Sequence, residues 1–279
     1  MIQNIYPAKF NNSYTPMEVD DNSYILYFRD EKLLVLYNEM SKKLIFPRFM
    51  QFSGRVQKGS LTYLFSIDED KYFLLRSCDE IPENFEFQNL LEIRRLELAS
   101  NKEIFAVYSA YHLWKWYEAS RFCGFCGSRT EHSRGERALV CPKCGNTIYP
   151  RINPAVIIGV TNKDKLLITR YRVGYKHNAL VAGFTEFGET LEETVQREVM
   201  EEAGLKVKNI RYYKSQPWGV AQDVLMGFYC DVDGDGTIHM DEGELRFAEW
   251  VQREDIELQP NDYSLTNEMM KMFKESHEI

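Results

Sequence analysis

Between residues 183 and 205 the chain sets Gly183, then Glu189 after five residues, then, seven residues later, Arg197-Glu198-Val199-Met200-Glu201-Glu202-Ala203-Gly204-Leu205. No other stretch restricts the possible folds so sharply. Glu198, Glu201 and Glu202 stand at i, i+3 and i+4, so a helix here projects all three from one face. Crowded carboxylates repel one another and call for cations, and hard divalent ions that take oxygen ligands suit them best. Thr190 and Glu193 form the S/T-x-x-E pattern of a capping box, which predicts a helix starting near Thr190. Leu191, Thr194, Val195, Val199 and Ala203 supply its inward side, and Gly204 suits a left-handed stop. Ahead of the helix, Gly183 to Gly188 read as a loop whose N–H groups favour phosphate oxygens. The plain alternative is a solvated acidic helix, but charge runs seldom bring two glycines and an arginine into register.

A second constraint lies upstream. Cys123-x2-Cys126 and Cys141-x2-Cys144 have the spacing of a tetrahedral four-thiolate zinc site, with Gly124, Gly127 and Gly145 suited to the knuckles. No open coordination position is implied, so the zinc is structural. Two disulfides are the alternative, which a cytoplasmic chain disfavours. Cys78 and Cys230 are left over, and Cys230 reads as a small buried hydrophobe within Val224–Val232.

The remaining chain is expected to be α+β. Of 279 residues, 44% are hydrophobic, enough for a sizeable core, and the net charge of −8 opposes non-specific binding to polyanions. No apolar run reaches about 18 residues, so no membrane span is expected. The beginning shows no secretory pattern, and the cytoplasm is the simplest location. Three parts are predicted: a mixed α/β domain over 1–118, a zinc segment over 119–149, and a domain over 150–279 that holds the acidic helix. The first should carry strands at Tyr24–Tyr27, Leu33–Tyr37, Leu61–Phe65 and Tyr72–Leu75, with helices over Leu90–Ala99 and Glu103–Glu118. The aromatic stripe of the second helix reads as packing. In the last part, strands are expected at Ala155–Val160, Leu166–Thr169, Ala179–Ala182, Ile210–Lys214, Val224–Val232 and Phe247–Val251, with a helix over Leu265–Lys274. Strands on either side of a central helix predict a mixed sheet covered on both faces.

The spacing G-x5-E-x7-R-E-U-x-E-E-x-G-U, with U apolar, resembles the Nudix box, and every specified position is filled. Chance matches run on the order of one in a billion per starting position. The order of cysteine segment, box and Ser215-Gln216-Pro217-Trp218 resembles the NADH pyrophosphatase branch of that superfamily, clearly over about residues 105–255. The resemblance implies a Nudix α/β/α sandwich with a mixed β-sheet, preceded by a zinc ribbon and the N-terminal mixed domain. It implies hydrolysis of NAD(H) to nicotinamide mononucleotide and AMP, extending in some members to the removal of NAD caps from RNA 5′ ends. Structural Zn²⁺, catalytic Mg²⁺ or Mn²⁺ and a homodimer come with it. Carried onto this chain, Glu198, Glu201, Glu202 and Glu244 are implied as ligands of the catalytic ions. Arg197 is read as pointing off the metal face and orienting a carboxylate, with Glu189 as its partner. Tyr149, Phe184, Gln216 and Trp218, with Gly183, are implied beside the substrate. The family continues P-F-P-x-S where this chain has Gly219-Val220-Ala221-Gln222-Asp223, which predicts a looser loop and keeps ADP-ribose and diadenosine polyphosphates open as substrates.

The zinc segment holds Arg121, Arg129, Arg134, Arg137 and Lys143, so a nucleic-acid binding module is an alternative function. Asp231-Val232-Asp233-Gly234-Asp235-Gly236 with Glu242 fits a calcium-loop pattern, but the flanks read as strand, and an acidic turn is expected. His112, His132, His177, His239 and His277 show no i, i+4 pairing.

Overall fold

The computed structural model describes residues 1–15, 17–38, 43–52, 54–95 and 100–275. The chain divides into two compact units. One comprises Gln3–Arg151 with Gly219–Ala221, the other Met1–Ile2, Ile152–Trp218 and Gln222–Ile279.

In the first unit the strands are β1 (Phe10–Asn11), β2 (Tyr24–Arg29), β3 (Lys32–Asn38), β4 (Lys43–Ile45), β5 (Leu61–Ile67), β6 (Asp70–Leu75) and β7 (Glu86–Asn89). Among the described residues they form one sheet in the order β1-β5-β6-β2-β3-β4, with β7 beside β3. The four expected strands are present. β1, β4 and β7 were not expected, being short and only weakly patterned. Helix α1 spans Leu90–Arg95, and the rest of the expected Leu90–Ala99 helix lies outside the described residues. Helix α2 spans Asn101–Ala119, and Ser100 N–H donates to Glu103 Oε2 at 2.7 Å in a capping arrangement. Phe105, Tyr108, Tyr111, Trp116 and Tyr117 are all buried, so the aromatic stripe is core. The cysteine segment adds β8 (Glu131–His132), β9 (Leu139–Val140) and β10 (Thr147–Ile148), an antiparallel sheet ordered β10-β9-β8.

The second unit carries β11 (Asn153–Asn162), β12 (Lys165–Tyr171), β13 (Val181–Phe184), α3 (Leu191–Ala203), β14 (Lys206–Trp218), β15 (Asp223–Asp233), β16 (Leu245–Gln252) and α4 (Leu265–Lys274). The sheet runs β14-β15-β11-β12-β16 with β13 on β11. β11 and β15 are parallel and the other pairings antiparallel, so the sheet is mixed. The alternation of β11 decides the layers. Val156, Ile158 and Val160 face a core with Val195, Val199 and Ala203 of α3. Ala155 and Ile157 face a core with Leu265, Met269, Met270 and Phe273 of α4. This is the α/β/α sandwich.

Three boundaries differ from expectation. The sequence predicts a strand over Ile210–Lys214, but β14 runs on through Ser215-Gln216-Pro217-Trp218. Pro217 sits there because β14 is an edge strand, where a missing N–H costs no ladder bond. β13 begins at Val181, not Ala179, because Ala179 makes only an isolated bridge with Thr169. Residues 219–222 are not a loose loop but a tight turn joining β14 to β15. Within the first unit, a Cβ on Gly219 would meet the Tyr108 carbonyl oxygen at 2.0 Å, so glycine is required there. Asp231–Gly236 has no flanking helices, and Asp231 is paired with Arg211 at 3.1 Å, so the calcium pattern is coincidental.

Candidate active site and metal centre

Helix α3 is fixed at both ends. Thr190 N–H donates to Glu193 Oε2 at 2.7 Å and Glu193 N–H to Thr190 Oγ1 at 3.2 Å, the reciprocal capping box. Gly204 closes the helix at φ 66°, and its N–H bonds Met200 O at 3.0 Å.

The arginine between the glutamates organises the cluster. Arg197 Nε donates to Glu189 Oε1 at 2.6 Å and Nη2 to Glu189 Oε2 at 3.0 Å, a bidentate fork. Nη1 donates to Glu198 Oε1 at 2.7 Å and to Glu201 Oε2 at 2.9 Å, and Nη2 also reaches Phe184 O at 2.9 Å. All five guanidinium N–H donors are thereby used. The expected Glu189 pairing is present, but Arg197 does not point off the acidic face. Its long side chain curls back and neutralises two of the three helix carboxylates. Glu189 also accepts from Glu186 N–H at 3.1 Å and Thr194 Oγ1 at 3.0 Å, which ties residues 186–190 to α3. The Arg197 guanidinium holds the Glu189 carboxyl down at about 2.

Glu202 is a different case. It is 2% exposed, and its Oε2 is buried with no hydrogen-bond partner. Burial, then the charges of Glu198 and Glu244, push its carboxyl up to about 8 against the opposing Ala182 N–H and Tyr171 hydroxyl. Burial also raises Glu198, with Arg197 opposing. Glu244, exposed just ahead of β16, is thus close enough to act on both. An ionisable oxygen buried without a partner amid like charges is the donor that a hard cation would satisfy. Among the described residues, these oxygens do not gather within 4.8 Å of one another as the cysteine sulfurs do, and Arg197 holds two of the four carboxylates.

Gly183 has a sharper role than a phosphate-facing loop residue. It lies in β13 opposite Val156, and a Cβ there would fall 2.0 Å from the Glu198 carboxyl carbon. Only a glycine lets that carboxylate rest on the strand. Tyr171, at the end of β12, was not singled out from the sequence. A lone aromatic closing a strand carries no motif, and only the fold brings its hydroxyl to Glu202.

The expected substrate residues fall in different surroundings. Phe184 is 52% exposed at the end of β13, close to the cluster through its carbonyl. Gln216 is fully buried. Its Nε2 donates to Tyr263 O at 2.9 Å and its Oε1 accepts from Leu265 N–H at 2.7 Å, so its side chain seats α4 and does not face solvent. Trp218 packs partly buried against the α4-side core. Tyr149 belongs to the first unit, is half exposed, and donates to Glu136 Oε1 at 3.1 Å.

The four cysteines gather with all sulfurs within 4.8 Å of one another. Cys123 and Cys144 Sγ are 3.6 Å apart, and Cys126 and Cys141 Sγ 3.4 Å, near the roughly 3.8 Å edge of a zinc tetrathiolate with Zn–S of about 2.3 Å. Gly127 (φ 71°) and Gly145 (φ 75°) make the knuckles, donating to Cys123 O at 2.8 Å and Cys141 O at 2.9 Å; Gly124 has no positive φ. Cys126→Ser is expected to abolish zinc retention and unfold the ribbon, since in small zinc modules about 10 kcal/mol or more of binding free energy is folding free energy. Zinc content by elemental analysis together with circular dichroism checks it.

Residues 118–149 match the model of the NADH pyrophosphatase zinc ribbon domain and residues 151–273 that of the NUDIX domain. A NAD-capped RNA hydrolase NudC from Klebsiella pneumoniae subsp. pneumoniae is 42% identical over 151 residues, covering 53% of this chain and 58% of that protein. The homologue of the same name from Photorhabdus laumondii subsp. laumondii is 34% identical over 188 residues, covering 66% of this chain and 71% of that protein. A crystal structure of a NUDIX hydrolase from Nitrosomonas europaea aligns with a TM-score of 0.49 at 23% identity, over 56% of this chain and 90% of the other. The chain belongs to the NADH pyrophosphatase branch of the Nudix hydrolases, the branch that carries this zinc ribbon. The match spans just under three-fifths of the first of these relatives. Among the described residues, no helix is long and apolar enough to cross a membrane.

Proposed function

We propose that the chain hydrolyses the P–O–P bridge of NAD(H) to nicotinamide mononucleotide and AMP, and that the same site takes NAD-capped RNA 5′ ends. The reading rests on the partly buried carboxylate cluster of α3, above all on the orphaned Oε2 of Glu202. Glu198, Glu201, Glu202 and Glu244 would hold Mg²⁺ or Mn²⁺, which when bound supplies Lewis acidity to the diphosphate and to the attacking water. Arg197 and Glu189 orient the carboxylates and brace the loop ahead of the helix. Phe184, exposed beside the cluster, offers a face for a base to stack on. Water adds to one phosphorus as the bridging P–O bond breaks. The leaving phosphate keeps the electron pair, and the proton released from water goes to solvent through a carboxylate of the cluster. A homodimer in the cytoplasm is part of the same proposal and follows the family resemblance.

Chromatography of products from NADH with Mg²⁺ or Mn²⁺ should show AMP and the reduced mononucleotide in equal amounts. Intact NADH, with both ions supplied, overturns the reading. The turn at Gly219, shaped against Tyr108 where the family has prolines, favours one rival: a different nucleoside diphosphate derivative, ADP-ribose or a diadenosine polyphosphate. Comparing kcat/KM for these with NADH and NAD⁺ separates the two. Arg197→Lys is expected to lower kcat/KM about 10- to 100-fold, because three ammonium donors cannot replace a five-donor fork. Steady-state kinetics beside thermal melting checks that the loss exceeds any loss of fold.

A further inference from the structure

We propose that the first unit holds a site for a phosphate group, built by Arg76, Arg121, Arg129 and His132 over a floor of Tyr117 and Leu139. These residues, with Thr130, line one shallow depression that opens to solvent. Its charge balance sets it apart. Three lysines of the unit find carboxylates, Lys71 with Asp20 at 2.8 Å, Lys102 with Asp70 at 2.9 Å and Lys115 with Glu31 at 2.6 Å, and Arg48 and Arg137 spend their donors on backbone carbonyls. Here, among the described residues, one of three guanidiniums has an acidic partner, Arg121 with Glu118 at 3.3 Å on the surface. Arg129 makes no side-chain hydrogen bond or ion pair among the described residues. Arg76 stacks over the Tyr117 ring at 5.3 Å and places Nη2 at 3.1 Å from His132 Nε2. An imidazole that accepts from Arg76 through Nε2 carries its proton on Nδ1 and has that donor to offer.

In a chain of net charge −8, such a cluster is neutralised by an anion from outside. Guanidinium forks match phosphate oxygens two at a time. The buried Tyr117 and Leu139 beneath exclude water from one side, which strengthens such bonds. Tyr117 lies too deep to stack a base, so the cavity would read the phosphate and not the base attached to it. That phosphate could be a free nucleotide's or a polynucleotide's, and the chemistry is shared.

The test uses the full-length, zinc-loaded protein titrated with inorganic phosphate, followed by arginine Nε–H and histidine ring NMR signals. Saturable shifts are expected at Arg76, Arg129 and His132. Arg129→Gln and Arg76→Gln should each weaken binding about tenfold or more, with zinc content and NADH turnover unchanged. Arg129→Gln changes an exposed side chain that holds no partner among the described residues, so its result does not depend on the fold. Absence of saturable shifts at these residues, or equal affinity in both variants, overturns the proposal. A short single-stranded oligoribonucleotide then separates the sources. If the double variant lowers the slope of log affinity against log salt by about two, the phosphate belongs to a polynucleotide chain. If oligonucleotide binding is unmoved while phosphate binding is lost, it belongs to a small phosphate compound. NADH turnover fails or survives independently, so this result and the active-site proposal are judged apart.

Discussion

Glu202→Gln is expected to reduce NADH turnover at least about 1,000-fold while stabilising the metal-free protein toward neutral pH. The first effect follows from what the position offers. Gln keeps the shape and the contacts to Ala182 and Tyr171 but removes the charge from the buried oxygen that would face a cation. Several kcal/mol of charge stabilisation at the diphosphate correspond to about three powers of ten in rate. The second effect follows from linkage. The folded carboxyl titrates near 8 and the unfolded one near its ordinary value of 4.5. Between those values the folded state keeps a proton that the unfolded state has released. Stability is therefore highest below about 4.5 and falls as pH rises through 8. Gln at this position carries no such slope, so the melting temperature of the variant minus that of the wild type should grow from pH 5 to pH 8 in chelator. Adding Mn²⁺ should reverse the order, because a cation stabilises the ionised wild-type site. Thermal melts at several pH values, with and without Mn²⁺, read both. Equal melting profiles in chelator, or near-normal turnover, would sink the assignment of Glu202.

The sandwich and the ribbon were legible because periodicity and spacing carry them. Val156, Ile158 and Val160 alternate with Ala155 and Ile157, and the burial of α3 and α4 on opposite faces follows from that. The cysteine pairs needed only their spacing. What the sequence hid depended on side-chain reach and on neighbours far along the chain. Arg197 and Glu201 stand at i and i+4, so a helical wheel already pairs those two; what it hides is that the same guanidinium also reaches its chain neighbour Glu198 and Glu189 ahead of the helix. Gln216 sits in a motif that suggests a ligand, but its register in β14 turns it inward, onto the start of α4. The Glu202–Tyr171 contact joins a helix to the end of a strand 31 residues upstream, and no local pattern encodes it. Gly183 was visible as a fixed glycine, but the reason for it, the Glu198 carboxyl resting on its Cα, needed coordinates.

Gly183 therefore supports a prediction that separates function from fold. Gly183→Ala is expected to lower kcat about 100-fold and leave the melting temperature almost unchanged. The added Cβ would lie 2.0 Å from both the carboxyl carbon and one oxygen of Glu198. What must move is the tip of a flexible side chain, not backbone, so the fold relaxes at small cost. Gly183 also has no left-handed φ, so Ala fits the strand, and the stiffer unfolded chain offsets much of the remaining cost. The reacting groups cannot relax so freely, since a displacement of about 1 Å in a positioned group can cost about 100-fold. If the loss acts through Glu198, then Glu198→Gln should cost much less in the Gly183→Ala background than in the wild type, and a double-mutant cycle would show strong coupling. Independent, multiplicative losses would mean that Gly183 serves the substrate directly through its N–H. That outcome would return the glycine to the phosphate-facing role its place in the box first suggested.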